Sequence, residues 1–97
     1  MTITKIENGG EVTLKLDGCL DTAATAEFEK AVAETDGVST LVLDMSALEF
    51  ISSSALRTLV AAKKRRGAAF TLALVGMNDV VRDVFEVTGL DEVFEVR

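Results

Sequence analysis

Residues 41–56 of this 97-residue chain read LVLDMSALEFISSSAL, and this stretch says most about the fold and the function. Its apolar start predicts a strand over residues 40–45 that is buried on both sides. The three serines that follow predict the start of a helix running to about residue 66, with Ser52 or Ser53 as its N-cap. A hydroxyl without a nearby base is a poor nucleophile, but a helix N-terminus favours an added phosphate. The stretch therefore favours a switchable binding protein over an enzyme.

The N-terminal residues predict a β-hairpin. Residues 2–7 and 11–17 alternate polar and apolar side chains, as half-buried strands do. The intervening Asn8-Gly9-Gly10 is a turn signal, because glycine accepts the positive φ of tight hairpins. We expect Gly18 to end the second strand.

An amphipathic helix is predicted after Gly18. Asp21 or Thr22 is its expected cap, and Asp36-Gly37 its expected end. One face of this helix carries the apolar side chains Ala24, Phe28, Ala31 and Val32.

The C-terminal third predicts one more strand and one more helix. Residues 69–75 form an apolar strand, and Asn78 caps a helix that closes near Gly89. An apolar tail then packs on the core through Leu90, Val93, Phe94 and Val96. Each strand-helix-strand unit implies parallel neighbours joined by a right-handed crossover. We therefore predict a single α/β domain over residues 1–97, with a small mixed parallel and antiparallel sheet packed with amphipathic helices.

Composition excludes several classes of function. The chain has no histidine, one cysteine (Cys19) and a net charge of −6. An acidic surface repels phosphate backbones and anionic lipids, so we expect neither nucleic-acid binding nor insertion into a membrane. The sequence shows no apolar segment of membrane-spanning length and no signal peptide. We expect a cytoplasmic monomer whose partners are proteins.

No set of residues predicts catalysis or a cofactor. Asp17, Asp21 and Asp44 lack spaced partners that would make a metal site. Asp44 is interpreted as a turn or cap residue, and residues 63–66 as the cationic end of a helix. The five phenylalanines are assigned to the core, with Phe50 as a candidate for the rim of a partner surface. We predict no enzyme, no metal and no cofactor.

Four motifs in this order resemble those of the STAS domain, in particular the stand-alone anti-sigma factor antagonists of bacteria. The resemblance covers essentially the whole chain, and the motifs here read Gly18-Cys19-Leu20-Asp21, Asp44-Met45-Ser46, Phe50-Ile51-Ser52-Ser53-Ser54-Ala55-Leu56 and Thr88-Gly89-Leu90.

The resemblance implies a partner-switching function. It implies that Ser54, with Ser53 as the alternative, is phosphorylated by an anti-sigma factor that is itself a serine kinase. The unphosphorylated antagonist binds that factor and frees a sigma factor. The phosphorylated form does not bind, and a phosphatase returns it to the unphosphorylated form. The implied partner surface comprises Asp21, Thr22, Thr25, Asp44, Ser46, Glu49, Phe50, Ser52, Ser53, Ser54, Ala55 and Arg57. Arg57, one turn after Ser54, is expected to pair with the phosphate.

The chain departs from the family motif at two positions. Ser52 replaces the motif aspartate, which removes a charge that a kinase can recognise. Ala55 replaces the motif glycine, and we expect its methyl group where a partner's backbone would approach. These departures leave an alternative open, an accessory STAS subunit of a transport system, such as a lipid-trafficking complex, that acts without phosphorylation.

Overall fold

A five-stranded mixed sheet with three helices forms the fold of this chain, in a computed structural model that describes residues 1–97. The strands lie side by side in the order β1-β2-β3-β4-β5. Their bounds are β1 (Thr2–Asn8), β2 (Glu11–Leu20), β3 (Thr40–Ile51), β4 (Thr71–Val75) and β5 (Glu95–Val96). The helices are α1 (Thr25–Ala33), α2 (Ser53–Arg66) and α3 (Asp79–Thr88), followed by a short 3₁₀ turn, Leu90–Glu92. The predicted α/β class and mixed sheet are confirmed.

The predicted N-terminal hairpin is confirmed. β1 and β2 pair antiparallel from Thr2 opposite Asp17 to Asn8 opposite Glu11, so the loop is the two glycines between them. β2 then pairs parallel with β3, and β3 with β4, through the crossover helices α1 and α2. These connections bring the C-terminal ends of β2 and β3 together at one edge of the domain.

The core lies between one face of the sheet and all three helices. Alternate residues of β2 and β3 point into it, since Leu14 and Leu43 are fully buried whereas their neighbours Lys15 and Asp44 are not. The helices contribute mainly Phe28, Val32, Leu59, Val81 and Phe85 to the same cluster. No helix packs on the opposite face of the sheet, whose central side chains Val42 and Ala73 are nonetheless buried.

Two strands extend beyond their predicted ends. Gly18 does not end β2, which continues to Leu20 through register shifts on either side of that glycine. Gly18 has a φ of +111°, so its freedom serves an irregularity within the strand rather than a turn after it. β3 likewise runs to Ile51, because its later residues pair with Cys19 and Leu20 of the extended β2. Residues 46–51, which lie beyond the predicted end of this strand at residue 45, are therefore strand.

Two of the three helix starts are as predicted. The Ser52 hydroxyl caps α2 by accepting from the Ala55 N–H, and the Asn78 side chain caps α3 in the same way. The prediction for α1 was wrong. Asp21 instead closes a turn by accepting from the Ala24 N–H at 2.9 Å, and the helix follows without a side-chain cap.

The apolar tail docks only in part. Phe94 is buried and packs edge-on against Phe85, with ring centroids 6.2 Å apart. Val93 and Val96 stay exposed. Val96 lies in the short edge strand β5, which the sequence did not indicate. None of the helices has the length and apolar character needed to cross a membrane.

Candidate functional site

The candidate site lies where β2 and β3 end and α1 and α2 begin. Leu20 and Ile51 pair as the last residues of the two strands, and the Ser52 N–H donates to the Leu20 carbonyl at 2.8 Å. This bond sets residues 21–25 against residues 52–54. The turn before α1 and the first turn of α2 therefore form one continuous surface.

Three hydroxyl groups meet at this junction. The Thr25 and Ser54 hydroxyl oxygens are 2.8 Å apart, and those of Ser52 and Ser54 are 3.1 Å apart. Thr25 also donates to the Asp21 carbonyl at 3.1 Å, and Ser52 accepts from the Ala55 N–H at 3.3 Å. We call Thr25, Ser52 and Ser54 the hydroxyl array.

The backbone groups at its two ends constrain the hydroxyl array, because each hydroxyl has a single proton. When Thr25 gives its proton to the Asp21 carbonyl, Thr25 accepts the proton of Ser54. Ser54 then has no proton left for Ser52, and Ser52 donates to Ser54. In this arrangement every hydroxyl proton is committed, and that of Ser54 points towards α1.

The three consecutive serines are not equivalent. Ser52 is buried, Ser53 is exposed, and Ser54 is half-buried in the hydroxyl array. The Ser53 hydroxyl has no hydrogen-bond partner within the chain, whereas Ser54 contacts two. Ser53 is the more accessible hydroxyl and Ser54 the more precisely held one.

A shallow depression opens beside Ser54. It is lined by Glu29, Arg57, Thr58 and Ala61 together with Ser54 itself. The Thr58 hydroxyl lies 3.2 Å from the Ser54 carbonyl and 3.3 Å from the Glu29 carboxylate, and these two acceptors share its single proton. Arg57 is exposed and forms no ion pair, so its charge is available to a group placed in this depression.

Ala55 does not belong to the exposed surface. Its side chain is fully buried in the core, so the methyl group expected to meet a partner faces the protein interior instead. The replacement of the motif glycine therefore changes helix stability and packing, and not the shape presented to a partner.

Glu49 and Phe50 extend the surface along the end of β3. Both are exposed, and Phe50 leaves 45% of its surface open, so its assignment to the core was wrong. Its place at the rim of a partner surface stays a prediction. Cys19, opposite Phe50 on β2, lies 3.9 Å from the Glu49 carboxylate through its thiol sulfur. A large apolar ring is thus exposed at the end of β3, with Glu49 as its neighbour in the sequence.

Asp44 and Ser46 form a separate local structure within β3. Asp44 accepts from both the Ser46 N–H at 3.0 Å and the Ser46 hydroxyl at 2.7 Å. These hydrogen bonds hold the pKa of the Asp44 carboxyl below its usual value of 3.8. Ser46 packs against Gly76, where an added Cβ would come within 3.0 Å of the serine side chain. Neither residue makes a hydrogen bond to the hydroxyl array. Asp44 bonds a nearby amide as inferred, but it lies within β3, so its interpretation as a turn or cap residue was wrong.

The sequence did not reveal the role of Thr25, Glu29 and Thr58 around Ser54. Thr25 was assigned only to the partner surface, and Glu29 and Thr58 to no site. The available signal was the presence of hydroxyls near the starts of two crossover helices that follow adjacent parallel strands, because such helix starts meet at one edge of a sheet.

Comparison with known proteins identifies the family. The STAS domain profile matches residues 2–97. The chain belongs to the STAS domain family. Its relatives place this STAS domain among the anti-sigma factor antagonists, which are non-enzymatic regulators.

Two relatives match this STAS domain over nearly its whole length. The anti-sigma-F factor antagonist RsfB of Mycobacterium tuberculosis is 31% identical over 99% of this chain and 80% of its own. BtrV of Bordetella bronchiseptica, a candidate anti-sigma factor antagonist, is 34% identical over 99% of this chain and 84% of its own.

Solved structures share the fold. An anti-sigma factor antagonist from Mycobacterium paratuberculosis superposes with a TM-score of 0.88 at 27% identity, covering 98% of this chain and 83% of its own. The unphosphorylated form of SpoIIAA gives a TM-score of 0.86 at 21% identity, over 99% of this chain and 88% of its own, a likeness of fold alone.

Proposed function

We propose that this STAS domain is a cytoplasmic, monomeric anti-sigma factor antagonist. It binds an anti-sigma factor that is also a serine kinase and thereby frees a sigma factor. The observation that carries the proposal is the junction surface, where the half-buried hydroxyl of Ser54 contacts Thr25 after the turn at Asp21, and β3 leaves the ring of Phe50 exposed near its end. The similarity to named antagonists over the whole chain supports the same function.

Phosphorylation of Ser54 would act on binding and not on folding. A phosphate brings roughly −1.5 to −2 charges, which the positive end of α2 and the free guanidinium of Arg57 favour. Because Ser54 lies in a cleft between two helix starts, the phosphate has to project outwards from the surface. There it holds a partner away from Phe50 and Asp21.

The adjacent serine supplies a matched control. Ser53→Asp adds the same charge one residue earlier in α2, in place of an exposed hydroxyl that makes no hydrogen bond within the chain. Wild type, Ser54→Asp and Ser53→Asp are used as baits in lysate of the source organism, and captured proteins are identified by mass spectrometry. We expect the wild-type bait to capture an anti-sigma factor kinase and the Ser54→Asp bait not to capture it. Partial retention with Ser53→Asp would assign the switch to Ser54.

Other outcomes separate the proposal from its alternatives. Loss with Ser53→Asp and retention with Ser54→Asp would move the switch to Ser53. Equal capture of the anti-sigma factor by all three baits would keep the binding function and remove the switch. Capture of a transporter ATPase by all three would support the accessory transport subunit instead.

A further inference from the structure

Thr25 is the side chain that contacts Ser54 most closely, and the motif shared with the family does not include it. Its hydroxyl lies 2.8 Å from that of Ser54, at the start of α1, and only 8% of its surface is exposed. We propose that Thr25 holds the phosphate of phosphorylated Ser54, with its hydroxyl turning from the Asp21 carbonyl to a phosphate oxygen. This inference rests on the proposed function, in which Ser54 carries that phosphate.

Modification of Ser54 removes the proton that joins it to Thr25. Transfer of a phosphoryl group from a nucleoside triphosphate forms the bond between Ser54 Oγ and phosphorus and releases the nucleoside diphosphate. The hydroxyl proton of Ser54 leaves to a base of the kinase. The contact of 2.8 Å between the two oxygens then has no proton unless Thr25 supplies one. Two oxygens at this distance without a proton repel each other.

Thr25 can supply its proton without leaving a backbone group unpaired. The Asp21 carbonyl, which now accepts from the Thr25 hydroxyl, also accepts from the Ala24 N–H at 3.2 Å. Turning the Thr25 hydroxyl away therefore leaves that carbonyl hydrogen-bonded. The cost of the rearrangement is correspondingly small.

Ser52 is arranged in the same way on the other side of Ser54. Its oxygen accepts from the Ala55 N–H and lies 3.1 Å from the Ser54 oxygen, so its own proton can be donated to Ser54. It can redirect that proton to a phosphate oxygen while its role as the α2 cap continues. An aspartate at this position, as in the family motif, would have no proton to donate and would repel the phosphate. With Ser52 and Thr25 as two hydroxyl donors, the junction of this chain binds a phosphate better than it would with an aspartate at position 52.

The phosphate itself reports whether Thr25 holds it. A hydrogen bond donated to the phosphate dianion favours that form and lowers the second pKa of the phosphate. The other charged groups that line this region are Arg57 and Glu29 in the depression and Asp21 in the turn. All three stay in place when only Thr25 changes, so their effects on the titration cancel between variants.

The experiment uses protein with phosphoserine installed at position 54 during translation, and follows its titration by ³¹P NMR. Thr25→Val keeps the side-chain shape without the hydroxyl and is expected to raise the second pKa of the phosphate by about half a unit. Thr25→Ser keeps the hydroxyl and is expected to restore the wild-type value. Thr22→Val, in the exposed part of the same turn, is the matched control and is expected to leave the pKa unchanged.

Equal pKa values for wild type, Thr25→Val and Thr25→Ser would overturn the inference. If Thr25→Val does not fold, Thr25→Ala removes the same hydroxyl and gives the same expected rise. The titration needs no partner protein, so its failure is distinct from failure of the proposed function. If the wild-type bait captures no anti-sigma factor, the proposed function is contradicted, whereas the result of the titration remains valid.

Discussion

Thr25 and Ser54 join the first turns of α1 and α2 through hydroxyl groups 2.8 Å apart. The two residues are far apart in the sequence, and they meet because the parallel strands before their helices end at the same edge of the sheet. This contact makes Ser54, the proposed site of phosphorylation, part of the structure between the helices. A change at Ser54 therefore alters the hydrogen bonds of Thr25, which contacts the turn that begins at Asp21.

The Thr25–Ser54 hydrogen bond should appear as a coupling free energy. Thr25→Val and Ser54→Ala are each expected to lower the free energy of unfolding by about 1 kcal/mol. The double variant should lose less than the sum of the two, because both single changes remove the same hydrogen bond. Urea denaturation of the four proteins measures the coupling. Strict additivity would mean that the bond contributes nothing to stability.

Ala55→Gly tests the position of the residue that replaces the motif glycine. Because the Ala55 methyl group is buried within α2, its removal should cost about 1 kcal/mol in helix propensity and a further amount for the lost packing. Affinity for the captured anti-sigma factor should not change once folding is accounted for. Denaturation and titration calorimetry provide the two measurements. A clear gain in affinity at unchanged stability would place the methyl group at the partner surface.

Arg66 should contribute far more to stability than the other cations at the end of α2. Its guanidinium donates to the Thr35 and Val38 carbonyls at 2.7 and 2.8 Å and stacks on the Phe70 ring at 3.6 Å. We expect Arg66→Lys to lower the free energy of unfolding by about 2 kcal/mol, because lysine cannot reproduce the planar set of donors.

The neighbouring Lys64 is the control for Arg66. Lys64 is exposed and forms no ion pair, so Lys64→Arg should change the free energy of unfolding by less than about 0.5 kcal/mol. Chemical denaturation at pH 7 compares the two variants. Similar effects from both would show that the Arg66 contacts contribute little.

Asp44 should make stability depend on pH in acid. Its pKa is lowered in the folded protein by the two hydrogen bonds from Ser46. Its carboxylate therefore stabilises the fold at pH values above 3.8, the usual pKa of the group. This contribution is lost as the pH falls through the lower, folded-state pKa. The difference in unfolding free energy between wild type and Asp44→Asn should therefore be largest at neutral pH and shrink in acid. A difference that is constant from pH 7 to pH 2.5 would contradict this account.

Local signals predicted much of the fold. The hairpin turn at Gly9-Gly10 and the caps at Ser52 and Asn78 depend on neighbouring residues, and the sequence predicted all of them. The ends of β2 and β3 depend on each other, because pairing across the sheet extends both strands past Gly18. A single sequence carries no local trace of such pairing. The edge strand β5 was not predicted for the same reason, because it is defined by its pairing with β4.

The candidate site was predicted in its outline but not in its contacts. The serine motif pointed to the start of α2, and Asp21 and Thr25 were placed on the neighbouring turn. Which serine is held, and by which side chain, depends on packing between helices. The burial of Ala55 likewise depends on how α2 rotates onto the sheet, which sequence spacing alone leaves open.

The most direct test of the account is the affinity of the captured anti-sigma factor for three purified forms of this protein. These forms are unmodified protein, protein with phosphoserine at position 54, and protein with phosphoserine at position 53, compared by titration calorimetry. The account predicts tight binding of the unmodified form and at least a hundredfold weaker binding with phosphoserine at 54, which corresponds to about 2.7 kcal/mol. Phosphoserine at 53 should cost much less. Equal affinity of the unmodified form and the form phosphorylated at 54 would contradict the central claim that Ser54 is the switch.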